Sequence, residues 1–254
     1  KLIWRDRPAI PENPVEIYPL KYAGEATHDK IGRIRQALRE THADGMLMAA
    51  LDDIAWTLNL RGTDVHCSPV FVSYLLISTT DVTLYINKAK LSPEVVDYLK
   101  SEGVGVAPYD EISKGLKDYF EYNILLDPNE VNYALYKSAV REIVEEESPV
   151  KRMKTVKNER EISGFRSAML KDGIAMVKFL KWIYVIRSTI SMAGGQQTEI
   201  SISERLEALR AEQPLYKGLS FDTSAGYQAH GAIVHYEATP ETDITLKPEG
   251  FLLL

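Results

Sequence analysis

"MLMAALDDIAWTLNLRGTDVHCSPVFVSYLLISTTDVTLYI", residues Met46–Ile86, carries the pattern on which the fold turns. "MLMAAL" follows the punctuating Gly45 and reads as a short buried strand. Asp52 is placed to cap a short helix, "DIAWTLNL". The end of that helix carries Arg61 near the negative end of the dipole and Gly62 where a left-handed residue is wanted. Two β-rich runs follow, "VFVSYLLI" and "VTLYI", and the Ser78-Thr79-Thr80-Asp81 between them suits a hairpin turn.

The same alternation extends outward. Upstream, Ile31, Ile34 and Leu38 fall at helical spacing. Downstream, "SPEVVDYLKSEG" has Ser92 as N-cap, Pro93 at the first helical position, Glu94 beside the positive end and Gly103 as stop. "VGVAPY" and "ILLD" read as strands around a helix at Glu111 to Tyr119. Alternating strands and helices imply an α/β layer sandwich with a mixed sheet, closing near Pro149. Before it, Pro8, Pro11, Pro14 and Pro19 prevent regular helix and suit an extended connector.

From Asn158 the character changes. Asn158 and Glu161 have capping-box spacing, and Ile162, Phe165, Met169, Met176, Leu180 and Ile183 form one helical stripe. Gly173 fills a gap in that stripe where a close helix-to-sheet approach would favour it. Thr198 opens a second helix with Ile202, Leu206 and Leu209 on its inner face. "GLSFDTSAG", "GAIVHY" and "GFLLL" then read as strands, which makes the second unit an incomplete α+β domain. The basic run "KRMKTVKNER" beside Glu145 to Glu147 reads as a solvated inter-domain junction rather than an interaction patch.

Composition narrows the function classes. A hydrophobic content of 45% and a charged content of 26% are those of a soluble globular protein, and a net charge of -6 argues against a nucleic-acid surface. A single cysteine, Cys67, excludes an internal disulfide and a cysteine-based metal site. No run is long and apolar enough for a membrane span, and "KLIWRDRPAIP" lacks a signal-peptide core, so a cytoplasmic location is expected. A Cys67–His66 nucleophile pair is not expected, because neighbours on a strand face opposite ways. "AGGQQ" reads as a turn, not a phosphate loop.

Three stretches carry a family resemblance. "ALDDIAWTLNLRGTDVHCSPVFVSYLLI" resembles the middle domain of the three-domain Xaa-Pro aminopeptidases (aminopeptidase P) of the creatinase and M24 peptidase family. "SFDTSAGYQAHGAIVHYEATPETDITLKPEGFLLL" is similar to the opening of their catalytic, pita-bread domain, and "IWRDRPAIP" to the connector from their first domain. The resemblance implies a linker over 1–21, a creatinase-like middle domain over 22–156 and the start of the pita-bread domain over 157–254.

It also implies a chemistry. Family members hold two divalent metals through two Asp, one His and two Glu, manganese being expected and zinc or cobalt the alternatives. The first Asp follows an apolar strand like "FLLL", so all five ligands are expected beyond Leu254 and no metal is expected within these residues. His235 is the catalytic residue the resemblance assigns here: it would hydrogen-bond the substrate carbonyl or developing oxyanion. Strand alternation sets His235 and Ile233 on the face opposite Ala232, Val234 and Tyr236. His230, where relatives commonly carry Asn, receives no role. Arg61 is read as a capping residue in preference to a substrate or interface contact. The implied partners are a peptide with proline second and a second subunit of a homodimer. A non-catalytic peptide- or protein-binding pita-bread-like module, and a creatinase or prolidase, stay as alternative readings.

Overall fold

The computed structural model describes residues 4–186 and 197–254, and the chain divides into two compact units, Lys1–Ile162 and Ser163–Leu254. In the first unit the elements run β1 (Glu16–Ile17), α1 (Leu20–Ala23), α2 (Thr27–Glu40), β2 (Met46–Met48), α3 (Leu51–Thr57), β3 (Leu60–Arg61), β4 (Ser73–Ile77) and β5 (Val82–Ile86). They continue as α4 (Pro93–Ser101), β6 (Gly105–Pro108), α5 (Ile112–Asp118), β7 (Asn123–Leu126), α6 (Tyr133–Tyr136), β8 (Glu142–Glu145) and α7 (Pro149–Thr155). Six strands form one mixed sheet in the order β6-β5-β4-β2-β7-β8. β2–β4 and β4–β5 are antiparallel, whereas β5–β6, β2–β7 and β7–β8 are parallel. The expected mixed α/β sandwich is the fold of this unit.

Period-two alternation divides the core between the sheet's faces. Met46, Met48, Leu75, Ile77, Leu84, Ile86 and Leu125 pack with Ile34 and Leu38 of α2, Ile54 of α3, Leu99 of α4 and Val150 of α7. Leu47, Leu76, Tyr85, Ile124 and Leu126 face the other way, onto Ile112 and Leu116 of α5 and Leu135 of α6. The proline-rich start docks through β1, which pairs with β3, while Val15 is buried.

Several local expectations hold. Ser92 caps α4 with Pro93 in its first turn, Gly103 beyond its end has φ 74°, and Ser78–Asp81 turns the β4–β5 hairpin. Others need correction. Ala50, not Asp52, is the N-cap of α3, and the Asp52 carboxylate bonds Lys154 instead. After α3 the left-handed residue is Asn59 (φ 48°), not Gly62. Gly62 is required for space, because a Cβ there would lie 2.8 Å from Phe71 Cβ and 2.9 Å from the Val70 carbonyl. Arg61 does cap: it donates to the Ala55 carbonyl at 2.9 Å and lies over the Tyr18 ring. His66 and Cys67 form a two-residue turn, with Cys67 at φ 56°, so strand alternation does not apply to them.

The charged run after β8 is solvated only in part: Glu145–Glu147, Arg152 and Lys157 are exposed, but two of its lysines are tied down. Lys151 on α7 lies 2.9 Å from both Asp127 and Glu130, and Lys154 lies 2.6 Å from the buried Asp53. These pairs fasten α7 to α3 and to the turn after β7 while Val150 enters the core.

The remaining elements are α8 (Glu159–Ile186), α9 (Glu199–Ala211), β9 (Gly226–Tyr227) and β10 (Leu252–Leu253). Asn158 and Glu161 form the expected reciprocal cap at 2.9 and 3.0 Å. The predicted stripe on α8 is displaced, however. Ala175 and Phe179 are buried, with Met176, Trp182 and Ile183 packed beside them, whereas Phe165, Met169 and Leu180 are exposed. A Cβ at Gly173 would meet nothing within 4 Å, so no close approach demands glycine there. Nearly all of "AGGQQ" lies outside the described residues.

Candidate functional site

The second unit is organised around the start of α9. Thr198 is its N-cap: Thr198 Oγ1 accepts the Ser201 amide at 3.2 Å, and Ser201 Oγ accepts the Thr198 amide at 2.8 Å. Asp243 accepts the Ile200 amide at 3.1 Å, so the helix start has acidic and hydroxyl partners for its exposed N–H groups. Ile202, Leu206 and Leu209 turn inward as expected, against Ala225, Tyr227 and Leu246. Glu199 lies on that same stripe and is fully buried.

A buried carboxylate needs donors, and three residues of one loop supply them. The Tyr227 amide donates to Glu199 Oε1 at 2.7 Å, the Tyr236 hydroxyl donates to Oε2 at 2.9 Å, and His230 Nδ1 lies 3.1 and 3.0 Å from the two oxygens. A carboxylate only accepts, so Nδ1 of His230 carries the proton and Nε2 is left as the second ring nitrogen. The His230 and Tyr236 rings are 4.5 Å apart. Burial raises the Tyr236 phenol; hydrogen bonding to Thr242 works against this and that to Glu199 adds to it.

Glu199 thus gathers the loop that runs from β9 to Tyr236. β10 pairs antiparallel with β9, Leu252 opposite Tyr227 and Leu253 opposite Gly226. A cleft of about 250 Å³ opens between this pair and the loop, lined among others by His230, His235, Tyr236, Ser224 and Leu253.

His235 is exposed on that cleft but not on a strand. Residues Gln228–Ala232 form a 3₁₀ turn, and His235 follows with φ 56°, in the left-handed region. β10 takes Gly226–Tyr227 as its partner, so "GAIVHY" has no ladder neighbour, and β-rich sequence without one does not hold a strand. The alternation that would set His235 opposite Val234 and Tyr236 is therefore absent. His230, read from sequence as a loop histidine without a role, sits in the loop but is anchored to the buried carboxylate. Sequence reasoning missed Glu199, although its spacing offered a signal: positions 199, 202, 206 and 209 share one helical face, so a Glu there falls among core residues.

Donor chemistry limits what this cleft can hold. A pair of hard cations sharing a water needs several carboxylate oxygens. The cleft is lined by two imidazoles, and the neighbouring carboxylate, Glu199, already accepts from three groups. The described residues here do not fit a two-metal centre. They do fit a hydrogen-bonding role, with an exposed imidazole next to a residue fixed by a buried carboxylate.

Residues 6–161 match the family model described as the Creatinase/Prolidase N-terminal domain. A probable Xaa-Pro aminopeptidase P of Aspergillus niger is 36% identical over 264 residues, which cover 99% of this chain and 42% of that protein. Xaa-Pro aminopeptidase 1 of Dictyostelium discoideum is 34% identical, over 97% of this chain and 39% of the relative. The X-prolyl aminopeptidase of Caenorhabditis elegans, described as a cytosolic enzyme with a di-nuclear active site, aligns with a TM-score of 0.89 at 27% identity, over 97% of this chain and 41% of that one. The chain spans about two fifths of the length of these relatives. Among the described residues, no helix is long and apolar enough to cross a membrane. With the family match over most of its length and a six-stranded mixed sheet beneath it, the chain belongs to the creatinase/prolidase N-terminal domain family.

Proposed function

We propose that this chain is part of an Xaa-Pro aminopeptidase, a hydrolase that removes the residue preceding proline from a peptide N-terminus. The observation that carries the reading is similarity to proteins of that name over 97% or more of the chain, across both units. In this reading residues 1–21 are a linker, 22–156 a non-catalytic middle domain that shapes access to the site and contacts a partner subunit, and 157–254 the opening of a pita-bread domain. Two metal ions, with manganese favoured over zinc or cobalt, supply activated water when bound, and their carboxylate ligands lie outside these residues. A homodimer in the cytosol is the expected setting, the latter supported by the cytosolic nature of the C. elegans relative.

The part played by this chain is polar positioning. His235 donates a hydrogen bond to the substrate carbonyl and keeps it as negative charge develops on that oxygen. Tyr236, tied to Glu199, fixes the backbone next to His235, and His230 holds the far side of the same loop. Loss of a single donor to a developing oxyanion lowers kcat by about 10²–10³. In the full-length protein, His235→Ala should therefore lose about that factor in kcat on an Xaa-Pro peptide while metal content stays unchanged. A variant as fast as wild type would remove His235 from the reaction.

A further inference from the structure

The two faces of the first unit's sheet are covered unequally. One carries α2, α3, α4 and α7; the other carries only α5 and α6, seven and four residues long. Beside α5 a cleft of about 320 Å³ remains over the β5–β6 edge. Tyr85 of β5 lines it and is only 7% exposed, and its hydroxyl, which is not among the sealed-off buried polar atoms, makes no hydrogen bond to the described residues and opens onto the cleft. A largely buried ring that presents a free hydroxyl to a cleft offers a fixed acceptor and donor to whatever enters it. The hydroxyl stands over Gly115, where a Cβ would come within 2.0 Å of Tyr85 Oη.

The charges around it are unbalanced. Glu111 and Asp118 flank Tyr85 closely enough to raise its phenol further, after burial as the first cause. Neither carboxylate forms an ion pair among the described residues, and Lys114 is the one cationic side chain in the lining. Asp81 also lines the cleft, but its side chain already accepts from Thr80. These carboxylates do not converge within 4.8 Å of one another as a metal site requires. Leu76 and Ala107 give apolar wall, and Phe120 at the rim is 62% exposed.

We propose that this cleft docks an arginine side chain of a partner polypeptide. The guanidinium fork donates to the Tyr85 hydroxyl and to Glu111 and Asp118, its alkyl stem lies on the apolar wall, and the Phe120 ring covers its face. Arginine suits the site better than lysine because a planar fork serves several acceptors at once and stacks on an aromatic ring. Charge complementarity selects a basic occupant, and the exposed aromatic rim favours one carried on a chain that also covers Phe120.

The test uses the 254-residue chain with the peptide acetyl-Ala-Arg-Ala-amide, its citrulline counterpart and methylguanidine, followed by NMR of the Tyr85 ring and by calorimetry. The arginine peptide should bind saturably and shift the Tyr85 ring resonances. The neutral citrulline peptide should bind at least about tenfold more weakly, as expected for loss of charge-assisted bonds. Glu111→Gln with Asp118→Asn, and separately Tyr85→Phe, should each weaken the arginine peptide by about tenfold. Equal binding of the two peptides, no binding, or binding that leaves Tyr85 unmoved in the wild-type chain would overturn the proposal whatever the variants do. Methylguanidine binding as tightly as the peptide would also overturn it, since the occupant would then be a small cation and not a polypeptide.

Discussion

Replacing Glu199 by Gln changes little in size and tests the hub of the second unit directly. The carboxylate accepts from the Tyr227 amide, His230 Nδ1 and the Tyr236 hydroxyl. A Gln side chain offers one acceptor oxygen and places an NH₂ group where the other oxygen stood. The Tyr236 hydroxyl can rotate and accept, so its bond survives in weaker form; the Tyr227 amide cannot adapt. A hydrogen bond to a charged group is worth about 1.5–3 kcal/mol and a neutral one about 0.5–1.5. With three bonds weakened and none wholly abolished, the local loss should be about 2–3 kcal/mol. That corresponds to roughly 30- to 150-fold more frequent opening of the loop. Amide hydrogen exchange reads this at Tyr227, whose N–H has Glu199 as its acceptor, while amides of α4 in the first unit serve as an internal control. Protection at Tyr227 within a factor of two of wild type would refute the idea that Glu199 holds the loop. Glu199→Ala should cost more than Gln, because it leaves the Tyr227 amide buried without an acceptor.

Three further outcomes follow from the first unit. Lys30 is buried, donates to the Trp56 carbonyl and to Asn59 Oδ1 at 2.7 Å each, and burial lowers its pKa to about 8. Between that value and the unfolded pKa of about 10.4 the unfolded chain binds more protons, so stability should rise with pH, by about 1–2 kcal/mol from pH 8 to 9.5. Chemical denaturation across that window checks the slope, and Lys30→Met should abolish it. Gly62→Ala should destabilise by about 1–3 kcal/mol through overpacking against Phe71 and the Val70 carbonyl, read as a lower denaturation midpoint. Lys90 and Asp64 form an ion pair with both side chains at 0% exposure, so Lys90→Met strands a buried carboxylate and should cost about 3–5 kcal/mol. Unchanged stability in that variant would mean the pair is not closed in solution.

Where the fold was legible, local rules and the global packing agree. Ser92, Pro93 and Gly103 bracket α4, and alternation in β2, β4 and β5 assigns each side chain to the face it occupies. Where local pattern was ambiguous, tertiary pairing decided. The four-residue hairpin turn was visible in sequence; β8, a short parallel edge strand of Glu-Ile-Val-Glu, was not, because its only neighbour is β7. The stripe expected on α8 counted every apolar residue at helical spacing, but α9 and the 244–252 region contact only the Ala175–Phe179 side. At the candidate site, His235 came from motif resemblance and its cleft from the structure. The partnership of Glu199 with His230 and Tyr236 spans 31 and 37 positions, a separation that no local signal encodes. Only the misfit of a charged residue on an apolar helical stripe hinted at it.

The most direct measurement is a combined metal titration and peptidase assay on the 254-residue chain, with added manganese and an Xaa-Pro peptide. His235 lies on a cleft whose nearby carboxylate is already committed to three donors, so no turnover and no tightly bound metal pair are expected. Hydrolysis of the peptide by this chain, or two metal ions held tightly within it, would contradict the division of labour in which these residues supply the hydrogen-bond donor and not the water-activating centre.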